Sequence, residues 1–325
     1  MSQTEKRPKE RFLRILVCLV AVLALLTAFT YMLFEIVTDS NETKRLLLEA
    51  FLDSGREDAI ASVTTDSTTT APITTVDMPT YRDIVAADLS ASTPTVENAT
   101  SYAIDTEALL EYPFSKHLFD TRPLILIYHT DPTASYAPSD VTKVPSDHAF
   151  QNGTQNVVTV AEAIVDVLRS AGIAAMHLTE PIDNIEAALE AYRQACPSIR
   201  YCLDVRRDGI YTTDGRIVKS DGRIDKTSVA QLMLCVGTGM GEKNLDWQKN
   251  LACAYRLTDM LHKASPSVVR PILLRPESLG QQSEIPHLTL FVGTTGNTAD
   301  EAIASARFFA RYLAIFILSN CGVDG

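Results

Sequence analysis

The chain has 325 residues, 46% of them hydrophobic, with 29 basic and 40 acidic side chains and a net charge of −11. That length suffices for one or two domains with a sizeable core. The acidic balance excludes binding of nucleic acid or anionic lipid heads through bulk charge. The charge is uneven: residues 1–14 carry five basic and two acidic groups, net +3, which leaves −14 on the remainder.

Residues 15–34 contain no charge. At a rise of 1.5 Å per residue such a run crosses a hydrocarbon core of about 30 Å. Basic residues precede the run, so the positive-inside bias places residues 1–14 in the cytoplasm and everything after residues 15–36 outside it. A cleaved signal peptide is the competing reading. The run exceeds a signal h-region, and Tyr31-Met32-Leu33-Phe34 offers no small-residue cleavage site, so an uncleaved single-pass anchor is the better one.

Residues 37–61 continue a helical pattern, with Leu46, Leu47, Leu48, Phe51 and Leu52. Residues 62–111 change to Thr, Ser, Ala, Pro and Val, a Ser/Thr-rich linker that supplies reach. The folded domain is expected over residues 112–321.

Within it, strands are expected at 124–128, 173–178, 200–205, 229–236, 268–274 and 287–292, with a hairpin excursion over 211–227. Helices are expected over 157–168, stopped by Gly172, over 185–195, and over 244–263, capped by Asn244. Thr298 and Glu301 form a capping box for a last helix through residue 317. Alternating strands and helices imply an α/β fold, a three-layer α/β/α sandwich on a mostly parallel sheet. Ligands of such folds bind beyond the strands' carboxyl ends, which here carry His129, Arg206 with Asp208, Gly237 and Gly293.

Six cysteines, Cys18 in the apolar run and five beyond it, do not make a disulfide framework, and no Cys-x-x-Cys occurs. Cys202, Cys235 and Cys253 read as small core residues; Cys196 and Cys202 could pair, with unpaired thiols the better reading. Gly237-Thr238-Gly239-Met240-Gly241 lacks the spacing of either phosphate-loop fingerprint and reads as a turn. Ser135 and Ser283 lack the nucleophile-elbow context.

Several ordered segments carry a resemblance. They are Tyr128-His129-Thr130-Asp131-Pro132-Thr133-Ala134-Ser135, the helix from Asn156, His177 at a strand end, Asp204-Val205-Arg206-Arg207-Asp208, Arg270-Pro271-Ile272, Leu288 to Gly293, and Asn297-Thr298 with Glu301-Ala302. Together they resemble the stage II sporulation protein P family of membrane-anchored peptidoglycan hydrolases, over about residues 124–313. The resemblance implies a zinc-dependent N-acetylmuramoyl-L-alanine amidase of sporulating bacteria that works with engulfment partners. Such chemistry needs His and carboxylate ligands around Zn²⁺, one open position for water, and a nearby proton shuttle.

This chain departs from the family pattern where that chemistry would sit. The family's loop reads Tyr-His-Thr-His-x-x-Glu-Ser; Asp131 takes the place of its second His and Ala134 that of its Glu. Arg206 replaces the His of Asp-x-His-Arg-Asp, and Phe291 replaces the Glu of Leu-x-x-Glu-Val-Gly. No family catalytic residue is therefore intact. The resemblance makes His129, Asp131, Ala134, Arg206, Asp208 and Phe291 pocket-lining, and leaves His129, Asp131 and His177 as the candidate metal set, with His148 and His262 the remaining donors. An Arg206–Asp131 ion pair is expected to fill the vacated pocket. Three functions follow: an impaired amidase that binds peptidoglycan, its stem peptides or an engulfment partner; an active divergent zinc amidase; and a purely structural interaction protein.

Overall fold

The computed structural model describes residues 93–118, 121–138, 153–239 and 246–322, all within one compact unit, Ser54–Gly325. The expected tail (1–14), anchor (15–36), juxtamembrane helix (37–61) and most of the linker lie outside the described residues, as do His148 and Asn244.

Among the described residues, eleven strands and five α-helices follow in chain order: β1 (Val96–Asn98), α1 (Thr106–Glu111), β2 (His117–Leu118), β3 (Ile125–Tyr128), α2 (Val157–Ser170), β4 (Ala175–His177), α3 (Ile185–Ala195), β5 (Tyr201–Asp208), β6 (Asp221–Ile224), β7 (Thr227–Ala230), β8 (Leu232–Gly237), α4 (Trp247–Ala264), β9 (Ile272–Arg275), β10 (His287–Thr294), α5 (Ala299–Ser319) and β11 (Cys321–Gly322). Seven strands form one sheet in the order β1-β9-β8-β10-β5-β3-β4. Five of its six neighbouring pairs are parallel, and the β8–β10 pair alone is antiparallel, so two parallel blocks are joined back to back.

The expected linker end at residue 111 is corrected by β1 and α1. Val96 to Asn98 pair with Ile272 to Leu274 of β9, and α1 packs on α4, so the folded unit begins before Tyr112. Strand β5 also runs further than expected. Arg206, Arg207 and Asp208 extend it because β10 continues beside them. Helix α4 starts at Trp247 with Asp246 as its cap, the carboxylate accepting from Lys249 N at 3.3 Å.

Strand alternation divides the core. Leu126, Tyr128 and Cys202 face one way and pack against Leu189 and Ile185 of α3. Ile125, Ile127 and Leu203, equally buried, face the other way, toward the layer in which α2 packs on α5 and α5 on α4. The sandwich is therefore lopsided. Among the described residues, α3 is the sole helix on the first face, and the sheet beyond it toward β9 stays open. Helix α5 is long and apolar enough to cross a membrane by length and composition, but 67% of its most apolar stretch is buried in the core, as in the central helix of a globular domain.

Helix ends are satisfied locally. Asn156 and Asn184 cap α2 and α3, and Thr298 and Glu301 close the expected capping box on α5. Gly237 shows why that position is glycine: a Cβ there would meet the Glu277 carbonyl at 2.2 Å and the Ser278 carbonyl at 2.7 Å. Cys196 and Cys202 are both free.

Candidate functional site at the strand ends

The carboxyl ends of β3 and β5 meet in a small polar cluster centred on Asp204. This carboxylate is fully buried. It accepts from Thr130 N at 3.0 Å, from Thr130 Oγ1 at 2.7 Å and from Arg206 Nε at 2.5 Å. Arg206 Nη2 also donates to Thr130 Oγ1, at 2.7 Å. A buried charge is tolerated when it is paired and hydrogen-bonded on all sides, and Asp204 meets that condition.

The expected Arg206–Asp131 pair is thereby corrected. Asp131 is exposed, and its Oδ1 accepts from Thr133 N at 3.1 Å and Thr133 Oγ1 at 2.6 Å, closing a local Asx turn. Arg206 found the nearer carboxylate, two residues back on its own strand. Alternation puts Asp204, Arg206 and Asp208 on one face, and that spacing was the signal in the sequence that Asp204 belonged to the site.

Phe291 lies directly opposite Arg206 in the β5–β10 register. The two share a cleft of about 350 Å³ with Asp208, whose carboxylate accepts from Arg270 Nη1 at 2.8 Å. Arg206 borders a second cleft as well, with Thr130, Asp183 and Glu186.

His129 and His177 form a separate group. His129 Nδ1–H donates to the Val205 carbonyl at 2.9 Å, because a carbonyl can only accept. That leaves the bare His129 Nε2 facing His177 Nε2 at 2.9 Å, so His177 supplies the proton between them. Burial lowers both imidazoles, His177 to about 4 with a further push from His129, and the pair is neutral at neutral pH. Ala134 is buried; its carbonyl accepts from Val157 N at 3.0 Å, which ties the loop to the start of α2. Tyr136 Oη donates to the Val292 carbonyl at 2.8 Å and ties the same loop to β10.

The donors present do not fit the family's zinc. Structural zinc takes four ligands and catalytic zinc three with a water. The described residues bring together two imidazole nitrogens, and no group of three His, Cys, Asp or Glu side chains is arranged to hold a metal ion among them. His262 is buried on α4 and belongs to no such group. The guanidinium of Arg206 offers only donors and a permanent positive charge, so it cannot ligate a metal.

Fold and strand ends together define an α/β protein with a mostly parallel sheet and a polar cluster at the carboxyl ends of β3 and β5. A model of the stage II sporulation protein P (SpoIIP) family matches residues 57–314, and the chain belongs to that family. Among solved structures it is similar to the N-acetylmuramoyl-L-alanine amidase AmiC2 of Nostoc punctiforme, at 12% identity over 60% of this chain and 96% of that one, with a TM-score of 0.37. It is also similar to the catalytic domain of the amidase CwlV of Bacillus (Paenibacillus) polymyxa, at 11% identity over 60% and 98%, TM-score 0.38. A third is the CwlD amidase of Clostridioides difficile, solved in complex with the GerS lipoprotein, at 10% identity over 59% and 99%, TM-score 0.32. No curated protein matches the chain.

Proposed function

We propose that this SpoIIP-family protein has lost amide hydrolysis and acts by binding peptidoglycan, its stem peptides or a membrane-bound engulfment partner, from the outer side of a membrane in which residues 15–36 anchor it. One observation carries the reading: Arg206 and Phe291, at the positions of a family ligand and of the family's proton shuttle, sit opposite one another in a single cleft. Phe291 cannot transfer a proton. Arg206 is fixed to Asp204 and Thr130, so its charge stays where a metal would have to enter.

A second reading, an active divergent amidase, has one observation in its favour. The His129 Nδ1–H bond to the Val205 carbonyl leaves Nε2 bare, as in an imidazole whose ring a carbonyl holds in position to ligate a metal.

The full-length chain, incubated with purified sacculi with and without zinc, separates these. Sedimentation with sacculi and no soluble product supports the binder. Zinc-dependent release of stem peptides supports the enzyme. Neither sedimentation nor release leaves the purely structural interaction protein.

A further inference from the structure

The open sheet face carries more charge than the Arg206 cluster uses. Its cleft has an apolar floor of Phe291, Met233 and Leu273. Arg206 and Arg270 line it but are held by Asp204 and Asp208. Three further charged residues line it: Glu97 on edge strand β1, Arg275 at the end of β9, and Glu277 just beyond. All three are exposed, and none forms an ion pair with a described residue, so Arg275 and the two carboxylates stand in one cleft more than 4.0 Å apart.

A guanidinium with no carboxylate of its own is shaped to take one in a bidentate pair. Carboxylates with no cation of their own take an ammonium. Both signs held apart over an apolar floor complement a ligand that carries both charges on one carbon at the end of an aliphatic stem. The volume of the cleft falls within the range of small-ligand sites, about 300–1,000 Å³.

We propose that this cleft binds a zwitterionic α-amino-acid head group, with its carboxylate on Arg275, its ammonium against Glu97 and Glu277, and its stem over Phe291 and Met233. Free amino acids carry such a head, and so does the side chain of a diamino-dicarboxylic residue within a peptide. The peptide source rests on the wall-binding reading above; the head-group site does not.

Calorimetry on the full-length chain tests it with norleucine as probe. N-acetylnorleucine and hexanoate lack the ammonium, norleucinamide lacks the carboxylate, and 1-pentanol lacks both charges. Norleucine is expected to bind at least tenfold more tightly than each, the scale of one charge-assisted contact. Arg275→Gln is expected to weaken norleucine about tenfold while leaving its circular dichroism and melting curve unchanged. Glu97→Gln with Glu277→Gln is expected to erase the preference for norleucine over its acetylated form. Equal binding of a blocked probe, undetectable norleucine binding, or an unaffected Arg275→Gln variant would overturn the proposal. A tripeptide whose last residue keeps a free side-chain amino-acid head, compared with the same peptide ending in lysine, then separates the sources. Preference for the former upholds a site for wall peptides; no preference, with norleucine bound, upholds a site for free amino acids. Sacculus sedimentation scores the wall-binding reading independently.

Discussion

Arg206 closes an ion pair of 2.5 Å with Asp204, two residues earlier on the same strand, and also donates to Thr130 Oγ1 in the loop after β3. Asp204 is fully buried and the Arg206 side chain is 23% exposed. Removing the cation would strand a carboxylate whose remaining donors both come from Thr130. Arg206→Ala is expected to destabilise the fold by about 3 kcal/mol, the low end for breaking a buried pair because Arg206 is partly solvated. The double variant Asp204→Asn, Arg206→Gln is expected to recover part of that loss, since no buried charge remains. Urea unfolding of Asp204→Asn, of Arg206→Gln and of their double variant, alongside Arg206→Ala, completes the cycle.

Acid sensitivity follows from the buried histidines. Burial pushes His287 from its ordinary 6.5 down to about 3, with Arg206 and Arg193 adding to the shift, and its Nε2 lies 2.9 Å from Tyr128 Oη. His177 is lowered in the same direction. The unfolded chain therefore binds protons at these positions before the folded one does. Their contribution to stability is fully present above about 6.5 and is lost as pH falls through the range toward 3. His287→Gln, which cannot titrate, is expected to flatten the slope of melting temperature against pH in that window. An unchanged slope would remove His287 as a cause.

Asn297 explains part of the family resemblance in structural terms. Its Oδ1 accepts from Thr294 N at 2.9 Å, Ser220 Oγ at 2.9 Å and Ser220 N at 3.2 Å, while Nδ2 donates to the Ser220 carbonyl at 3.0 Å and Glu301 Oε2 at 3.1 Å. The side chain joins the end of β10, the loop after β5 and the start of α5. Asn297→Ala leaves several of these buried groups unsatisfied, and an expected cost of about 3 kcal/mol follows. Asn297→Asp is expected to cost more at neutral pH, because it sets a second carboxylate beside Glu301. Differential scanning calorimetry of the two variants ranks them.

Gly237→Ala tests the packing of the loop that walls the open cleft. Besides the Glu277 and Ser278 carbonyls, this loop sends Gln281 Oε1 back to Gly237 N at 2.8 Å. A Cβ at Gly237 forces the loop off β8, at an expected cost of about 2 kcal/mol. The variant is also expected to lose any ligand of the cleft, since Glu277 and Leu279 move with the loop. Retained ligand binding at wild-type stability would show that the loop shifts without consequence.

Much of the framework was legible because its causes are local. Helix α3 runs over Ile185–Ala195 as expected, and the capping box of α5 formed as read, since caps and apolar periodicity act within a few residues. Edge strand β1 was not legible. Val96, Glu97 and Asn98 are short, mostly exposed and set among Thr, Ser and Pro, a composition shared with a linker. They form a strand because β9, more than 170 residues away in sequence, offers a free edge. The choice of partner by Arg206 failed for a related reason. The paired substitutions at positions 131 and 206 suggested one contact, whereas the local turn at Asp131 and strand alternation at Asp204 decided another. Arg275 gained a role only once β9 placed it over the same cleft as Phe291.

The central claim, that the strand-end site has exchanged a metal for the Arg206–Asp204 pair, is tested most directly by the zinc content of the full-length chain. Protein purified without chelators and dialysed against micromolar zinc would be assayed by elemental analysis alongside Arg206→His and His129→Ala. Zinc well below one per chain in the native protein, and no change in His129→Ala, is the expected result. One zinc per chain, lost on His129→Ala, would contradict it.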